Sequence, residues 1–376
     1  MIKKNLIVFG TRPEAIKMAP LVKEFYKYPE KFETRVCVTA QHREMLDQVL
    51  AFFEITPDYD LDLMRPNQNL FTLTADIITH LKEVLEDFEP DYVYVHGDTS
   101  TTMAASLASF YSGSKVCHVE AGLRTFDKLS PFPEEMNRRI AGVVSDYHFP
   151  PTDKSEENLL NENVSRNQLL VTGNTVIDAL NFSSEKVNSK DFKDEEIEGL
   201  KTSIDASKRI ILVTGHRREN HGQGFINICQ ALSNIAKANP EVEIIYPVHL
   251  NPNVQQPVYD LLDGISNIKL IAPLSYPAFV WLMSKSYLII TDSGGVQEEA
   301  PSLGKPVLVM RNTTERPEAV SAGTVILVGT DVLKITQETE RLLKDSTHYK
   351  EMSAKHNPYG DGSACKRIVK FIENLA

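Results

Sequence analysis

At 376 residues the chain is too long for one typical hydrophobic core and long enough for two domains. Its 42% hydrophobic and 24% charged fractions are ordinary for a soluble globular protein. The formal net charge of −11 argues against a general nucleic-acid or membrane-surface binder, so any anionic ligand must be held by locally placed cations and backbone donors.

The opening MIKKNLIVFG carries too short an apolar run for a signal h-region and reads as a first strand. Apolar strand-like runs then alternate with amphipathic helix-like runs. Strands are expected at Leu6–Phe9, Thr34–Thr39, Tyr92–Val95, Lys115–Val119 and Gln168–Val171. Helices are expected between them at Pro13–Lys27, Glu44–Glu54, Leu70–Phe88, Thr101–Tyr111, Glu134–Ser145 and Lys154–Asn161. The polar segment Ser183–Ser207 reads as a surface or linker region. The alternation restarts with strands at Ile210–Val213, Glu243–Tyr246, Ile268–Ile271, Tyr287–Ile290, Val307–Val309 and Val325–Leu327. Their helices are expected at Phe225–Ala238, Val254–Leu262, Tyr276–Ser284, Val296–Leu303 and Val332–Lys344. The final stretch, Asp361–Ala376, places Ile368, Val369, Phe371 and Ile372 on one side of an amphipathic helix that can return to the first domain. No run approaches the length of a membrane span. The four cysteines are scattered without a Cys-x-x-Cys pair, as expected of reduced cytoplasmic thiols.

This is βα repetition twice over, the pattern of an α/β fold with two doubly wound parallel sheets. In such sheets ligands sit beyond the carboxyl ends of the strands. The segments expected there are rich in polar groups: Gly10–Glu14, His96–Thr99, Glu120–Arg124, Gly215–Asn220, His249, Asp292–Gly295 and Arg311–Glu318. Repetition of such loops in both halves points to a ligand cleft between two domains. The stretch Tyr287–Lys305 combines a buried strand, paired glycines and a helix start, which together bring backbone N–H donors close to a phosphate. In the first loop, Arg12 and Lys17 can face an anion, or simply be the solvated cations of a capped helix. His216 can donate a proton near physiological pH, or simply be a hydrogen-bonded loop residue. Asp98, Glu120 and Glu134 come from neighbouring elements, and carboxylates gathered near a dry cleft serve as acids and bases because their environments spread their pKa values. The plain alternatives are a helix cap for Asp98 and dipole stabilisation for Glu134 and Glu135. The sequence has no G-x-G-x-x-G after a strand, no P-loop, no H-E-x-x-H and no G-x-S-x-G. Asp58–Asp62 offers D-x-D spacing but reads as a solvent-facing strand edge.

The strings GTRPEAIKMAP, HGDTSTTMAASLA, HVEAGLRT, SPFPEEMNRR, GHRREN and TDSGGVQEEAPSLGKPVLVMRNTTERPE together resemble the non-hydrolysing UDP-N-acetylglucosamine 2-epimerases of bacteria and archaea. The resemblance implies a GT-B fold of two Rossmann-like domains, here residues 1–172 plus 356–376 and residues 173–355, with the nucleotide sugar in the interdomain cleft. It implies a cytoplasmic enzyme, usually a homodimer, that interconverts UDP-N-acetylglucosamine and UDP-N-acetylmannosamine without metal or NAD and supplies surface polysaccharides. The route it implies is elimination of UDP to a 2-acetamidoglucal, followed by re-addition. By motif, Asp98, Glu120, Glu134, His216 and Lys17 match the catalytic set. Arg12, Arg138, Arg217 and Arg316 match substrate contacts, Ser293, Gly294 and Gly295 the diphosphate cradle, and Glu299 the ribose partner. Pro273–Phe279 is expected to frame uracil. Gln41, His42 and Glu135 match parts of an activator site for a second UDP-N-acetylglucosamine, but Glu44 and Asn67 stand where that site uses a Gln and an Arg. The rival readings are a hydrolysing 2-epimerase, a sister epimerase acting on a diacetamido uronic acid nucleotide, a GT-B glycosyltransferase and a non-catalytic nucleotide-sugar sensor.

Overall fold

The computed structural model describes residues 2–39, 43–65 and 68–375, and the side chains of residues 43–45 are not among its described parts. It resolves into two compact units, Met1–Ala179 with Tyr359–Ala376, and Leu180–Pro358.

In the first unit six parallel strands, β1 (Lys3–Phe9), β2 (Phe32–Val38), β3 (Tyr59–Asp60), β4 (Tyr92–His96), β5 (Lys115–Val119) and β6 (Tyr147–Phe149), run in the order β3-β2-β1-β4-β5-β6. Helices cover the sheet, so its central strands are apolar almost throughout. Leu6, Val8, Val93, Val95 and Val116 pack against Leu81, Leu85 and Phe88 of the helix Leu70–Phe88. Chain order reverses between β1 and β4, which opens the crevice where such sheets bind ligands. The C-terminal helix Ala364–Glu373 belongs to this unit: Phe371 lies edge-on to Tyr147 and Phe149, each at 5.6 Å, and Lys3 Nζ donates to the Ile372 carbonyl at 2.7 Å.

The second unit repeats the design with β7 (Arg209–Thr214), β8 (Val242–Pro247), β9 (Ile268–Ile271), β10 (Leu288–Thr291), β11 (Val307–Val309) and β12 (Val325–Leu327). Their order is β12-β11-β10-β7-β8-β9, so the reversal falls between β7 and β10. Ile211, Val213, Ile244, Tyr246 and Ile290 form its core with the helix Gln223–Ala238.

Two expectations are corrected. Gln168–Val171 is not a strand: a 3₁₀ turn ends at Gln168, and Leu169 makes only an isolated bridge to His148. The outer strand is β6, whose three residues beside Asp146 and Pro150 are too few to show a period. Ser183–Ser207 is not a simple linker either. It holds the end of the helix Thr175–Asn188 and the helix Glu195–Ser203. Asp194 caps the latter, and Ile197 and Leu200 bury its one apolar face, a stripe too sparse to stand out among its charges. Within Asp58–Asp62, Tyr59–Asp60 forms the edge strand, and the Asp58 carboxylate accepts the Val36 N–H at 2.8 Å.

Candidate active site

The switch point of the first unit is braced by Glu14. Thr11 and Glu14 form a capping box at the start of the helix Arg12–Phe25, with Pro13 in its first turn. Glu14 Oε2 accepts the backbone N–H of Gly10 at 3.1 Å and of Thr11 at 2.8 Å, while Oε1 accepts the Thr99 hydroxyl at 2.7 Å. One buried carboxylate thus ties the loop after β1 to the loop after β4. Burial pushes its pKa up, against the lowering effect of these hydrogen bonds.

Glu120, just beyond β5, adopts a left-handed backbone with φ 59°, a conformation that costs energy for a residue with a Cβ and that local contacts must hold. Its Oε2 pairs with Lys17 Nζ, accepts from Asn174 Nδ2 at 2.7 Å and lies 3.7 Å from His96 Nε2. Asn174 is itself fixed: its Oδ1 accepts the Val176 N–H, and its N–H donates to the Tyr359 carbonyl. Burial pushes His96 down to about 4, Glu120 opposing and Lys17 adding to the shift, so the ring beside Glu120 is neutral. His118 Nε2 donates to the Gly97 carbonyl at 2.7 Å, and burial holds this histidine down at about 3.

Asp98 pairs with Arg138, and its carbonyl accepts from Asn137 Nδ2 at 2.9 Å. Both partners lie on the helix Glu134–Val144, whose first residue is Glu134. Glu134 Oε2 is enclosed without a hydrogen-bond partner among the described residues. Asp98 and Glu134 line one cavity of about 780 Å³ together with Thr11, Thr99 and Asn137. Two carboxylates, one paired with an arginine and one with an unsatisfied oxygen, can exchange protons with a substrate held there.

In the second unit the equivalent brace is Asp292, fully buried after β10. Its Oδ2 accepts the backbone N–H groups of His216 and Arg217, each at 2.9 Å, and Asn220 Nδ2 at 3.3 Å. Its Oδ1 lies 3.4 Å from His216 Nδ1. The His216 ring stacks on His249 at 5.5 Å and keeps 42% of its side-chain surface exposed. Burial pushes the His216 pKa down, Asp292 raises it, and Arg217 and His249 lower it. Downstream, Ser293, Gly294 and Gly295 lead into the helix Gly294–Glu299. A Cβ on Gly294 would sit 3.7 Å from Arg217 Nη2 and 3.8 Å from Arg316 Cζ, so two guanidinium groups face this bare backbone. A Cβ on Gly295 would lie 3.7 Å from Glu299 Oε2. Arg316 pairs with the buried Glu298, and Gln297 ties Thr314 to the Ser293 carbonyl. The arrangement offers an anion backbone N–H groups and two cations on one side.

The first unit therefore gathers Lys17, Asp98, Glu120, Glu134 and Arg138, with Arg12 opening the braced helix. The second gathers His216, Arg217, Ser293, Gly294, Gly295, Glu299 and Arg316. Ser275, inside Pro273–Phe279, caps the helix Tyr276–Lys285 and donates to Glu196 at 2.5 Å. Glu135 is fully buried, and its oxygens accept the N–H groups of Thr125 and Phe126 and the guanidinium of Arg138. Its role here is to hold the loop before the Glu134 helix. Gln41, His42 and Asn67 lie outside the described residues. Reading the sequence did not single out Glu14, His96, Asn174 or Asp292 for these roles. Only Glu14 had a local signal, the T-x-x-E spacing of a capping box.

A family model described as UDP-N-acetylglucosamine 2-epimerase matches residues 25–373. The chain is 60% identical over 372 residues to the UDP-N-acetylglucosamine 2-epimerase of Yersinia pestis, covering 99% of this chain and 98% of that protein. It is 58% identical over 371 residues to the enzyme of the same name from Escherichia coli K12, with the same coverage of 99% and 98%. The crystal structure of the UDP-GlcNAc 2-epimerase of Neisseria meningitidis bound to UDP-GlcNAc superposes with a TM-score of 0.89 at 53% identity, covering 99% of this chain and 100% of that one.

Proposed function

The chain belongs to the UDP-N-acetylglucosamine 2-epimerase family, and from that premise we propose that it inverts C2 of UDP-N-acetylglucosamine without net hydrolysis, giving UDP-N-acetylmannosamine. The C2 proton is not adjacent to a carbonyl, so simple deprotonation and return is too costly. Elimination avoids the problem. A base takes the C2 proton, the C1–O bond breaks, and UDP leaves with the electron pair, forming a 2-acetamidoglucal. UDP then adds back at C1 while an acid delivers a proton to the other face of C2.

The division of labour follows the two units. Asp98, Glu120 and Glu134 carry the C2 proton transfers. Lys17 and Arg138 set the charge around Glu120 and Asp98, and Arg12 serves the UDP. In the second unit Ser293, Gly294, Gly295, Arg217 and Arg316 hold the diphosphate, Glu299 takes the ribose hydroxyls, and His216 gives a proton to the leaving phosphate. The observation that carries the reading is the cavity shared by Asp98 and Glu134, whose Oε2 is enclosed without a partner among the described residues. We further infer a cytoplasmic homodimer. Its interface is supported by Met136 and Val143 on the Glu134 helix and by Phe126, Leu129 and Phe132 before it, all exposed apolar side chains.

Incubation with UDP-N-acetylglucosamine in D₂O, without an acceptor, tests the proposal. Both UDP-sugars with deuterium at C2 are expected in the NMR spectrum. Free N-acetylmannosamine with UDP would instead establish a hydrolysing enzyme, and an unchanged substrate would remove the epimerase reading.

A further inference from the structure

The turn after β10 contributes more to the chemistry than its cradle. We propose that Asp292 is a positioning residue for His216, holding the imidazole through Nδ1 so that Nε2 is the nitrogen that exchanges a proton with the diphosphate. The inference rests on the role given to His216 above.

The two oxygens of Asp292 have separate tasks. Oδ2 is occupied by two backbone N–H groups and Asn220, which sets the shape of the loop. Oδ1 is fully enclosed, has no hydrogen bond among the described residues and lies 3.4 Å from His216 Nδ1. A carboxylate in that position favours a proton on Nδ1 in neutral imidazole and stabilises the imidazolium. The ring plane is supported by His249. That neighbour adds no donor on its Nδ1 side, because His249 Nδ1 accepts the Asn251 N–H at 3.1 Å. Among the described residues the charged and titratable groups acting on His216 are Asp292, Arg217 and His249, and of these only Asp292 favours protonation. Removing its charge leaves burial, Arg217 and His249 unopposed. During elimination the proton on Nε2 passes to a phosphate oxygen as the C1–O bond breaks. During addition it returns, and the Nδ1 proton stays in place throughout.

The test joins a spectroscopic readout to a kinetic one. With ¹⁵N-labelled histidine, and His216 assigned by its loss in H216N, the neutral ring of the wild type is expected to carry its proton on Nδ1. In D292N the amide N–H₂ can face the ring, and the proton is expected on Nε2. The same variant should lose about 10²-fold in kcat with KM little changed, and its alkaline limb should move to lower pH. In an H216N background D292N should cost almost nothing further. A proton on Nε2 in the wild type overturns the proposal without any Asp292 variant having to fold. Equal losses from D292N in the presence and absence of His216 overturn it too, since they make Asp292 a loop anchor only. Wild type that lacks epimerase activity would sink the functional reading, and the NMR tautomer would still decide the pairing.

Discussion

At the switch point of its sheet each unit buries one carboxylate, and both are used to collect backbone N–H groups from the loop after the unit's first strand. Glu14 takes Gly10 and Thr11, and Asp292 takes His216 and Arg217. They differ in what lies on the second oxygen. Beside Glu14 it is the Thr99 hydroxyl, a neutral group. Beside Asp292 it is a half-exposed imidazole. The first brace can only shape a loop, whereas the second also bears on a titrating side chain. The difference extends outward. The first unit keeps His96, His118 and His148 buried and neutral, and the second turns two arginines toward bare backbone beside a half-exposed His216. In our proposal the same architecture supports proton transfer in one unit and anion holding in the other.

The largest way to break the comparison is acid. His96, His118 and His148 are buried in the first unit, and burial holds them at about 4, 3 and 4. Because these folded values lie below the ordinary 6.5, the unfolded chain takes up protons first as pH falls. Their stabilisation is complete above about pH 6.5 and is lost progressively toward pH 4 for His96 and His148 and toward pH 3 for His118, at up to ~1.4 kcal/mol per pH unit for each ring. Glu14 and Asp178, whose values are raised, work in the opposite direction and offset part of this. The first unit should therefore open at a higher pH than the second. Hydrogen exchange followed by peptide would show it, with the single Trp281, buried in the second unit, as an independent probe. Simultaneous opening of both would contradict the assignment.

Next in size come the carboxylates. Glu120→Gln, Asp98→Asn and Glu134→Gln should each lower kcat at least about 10²-fold while leaving UDP affinity, measured by calorimetry, as in the wild type. Near-normal turnover removes a residue from the proton-transfer set, and a matching loss of UDP affinity would dissolve the division between the units.

Much of this arrangement was legible in the sequence, for physical reasons that also explain what was hidden. Alternating apolar runs revealed two parallel sheets because strands buried on both faces must be apolar throughout. The positions Asp98, Glu120, His216 and Gly294 stood out as polar or glycine residues placed directly after such runs. Glu14 could be read from its spacing to Thr11, a contact within one helical turn. The bond from Asn174 to Glu120 spans 54 positions and that from Asp292 to His216 spans 76, so neither leaves a period or a spacing. The buried face of Glu195–Ser203 was hidden by its charges, and β6 by its length.

Removing the brace of the first unit has a smaller effect. Glu14→Ala leaves the Gly10 and Thr11 N–H groups without their acceptor, at a cost of about 2 kcal/mol. Glu14→Gln should cost less, because the amide oxygen can serve the backbone while the threonine hydroxyls turn to accept from its N–H₂. A urea titration followed by exchange in residues 2–39 would rank the three proteins. Equal stability would show that water satisfies those donors and that the brace is dispensable.

The finest test compares two glycines at matching places. Gly97 has φ +66°, and a Cβ there would meet Glu120 Oε1 at 3.4 Å, so Gly97→Ala strains the backbone beside a carboxylate of the proposed proton-transfer set. Gly294 has no such backbone constraint, and its added methyl would meet only ordinary contacts at 3.7–3.8 Å. The fold should therefore tolerate Gly294→Ala with its melting temperature unchanged. The methyl would stand between backbone and guanidinium groups, where the diphosphate is held in our proposal, and UDP should bind about 10-fold more weakly, ~1.4 kcal/mol. Calorimetry with UDP alone reads this directly. An unchanged affinity would move the diphosphate away from Gly294, whereas weaker binding with kcat retained would place the effect of this glycine on holding UDP; a lower kcat with UDP affinity kept in Gly97→Ala would place that of Gly97 on the proton chemistry.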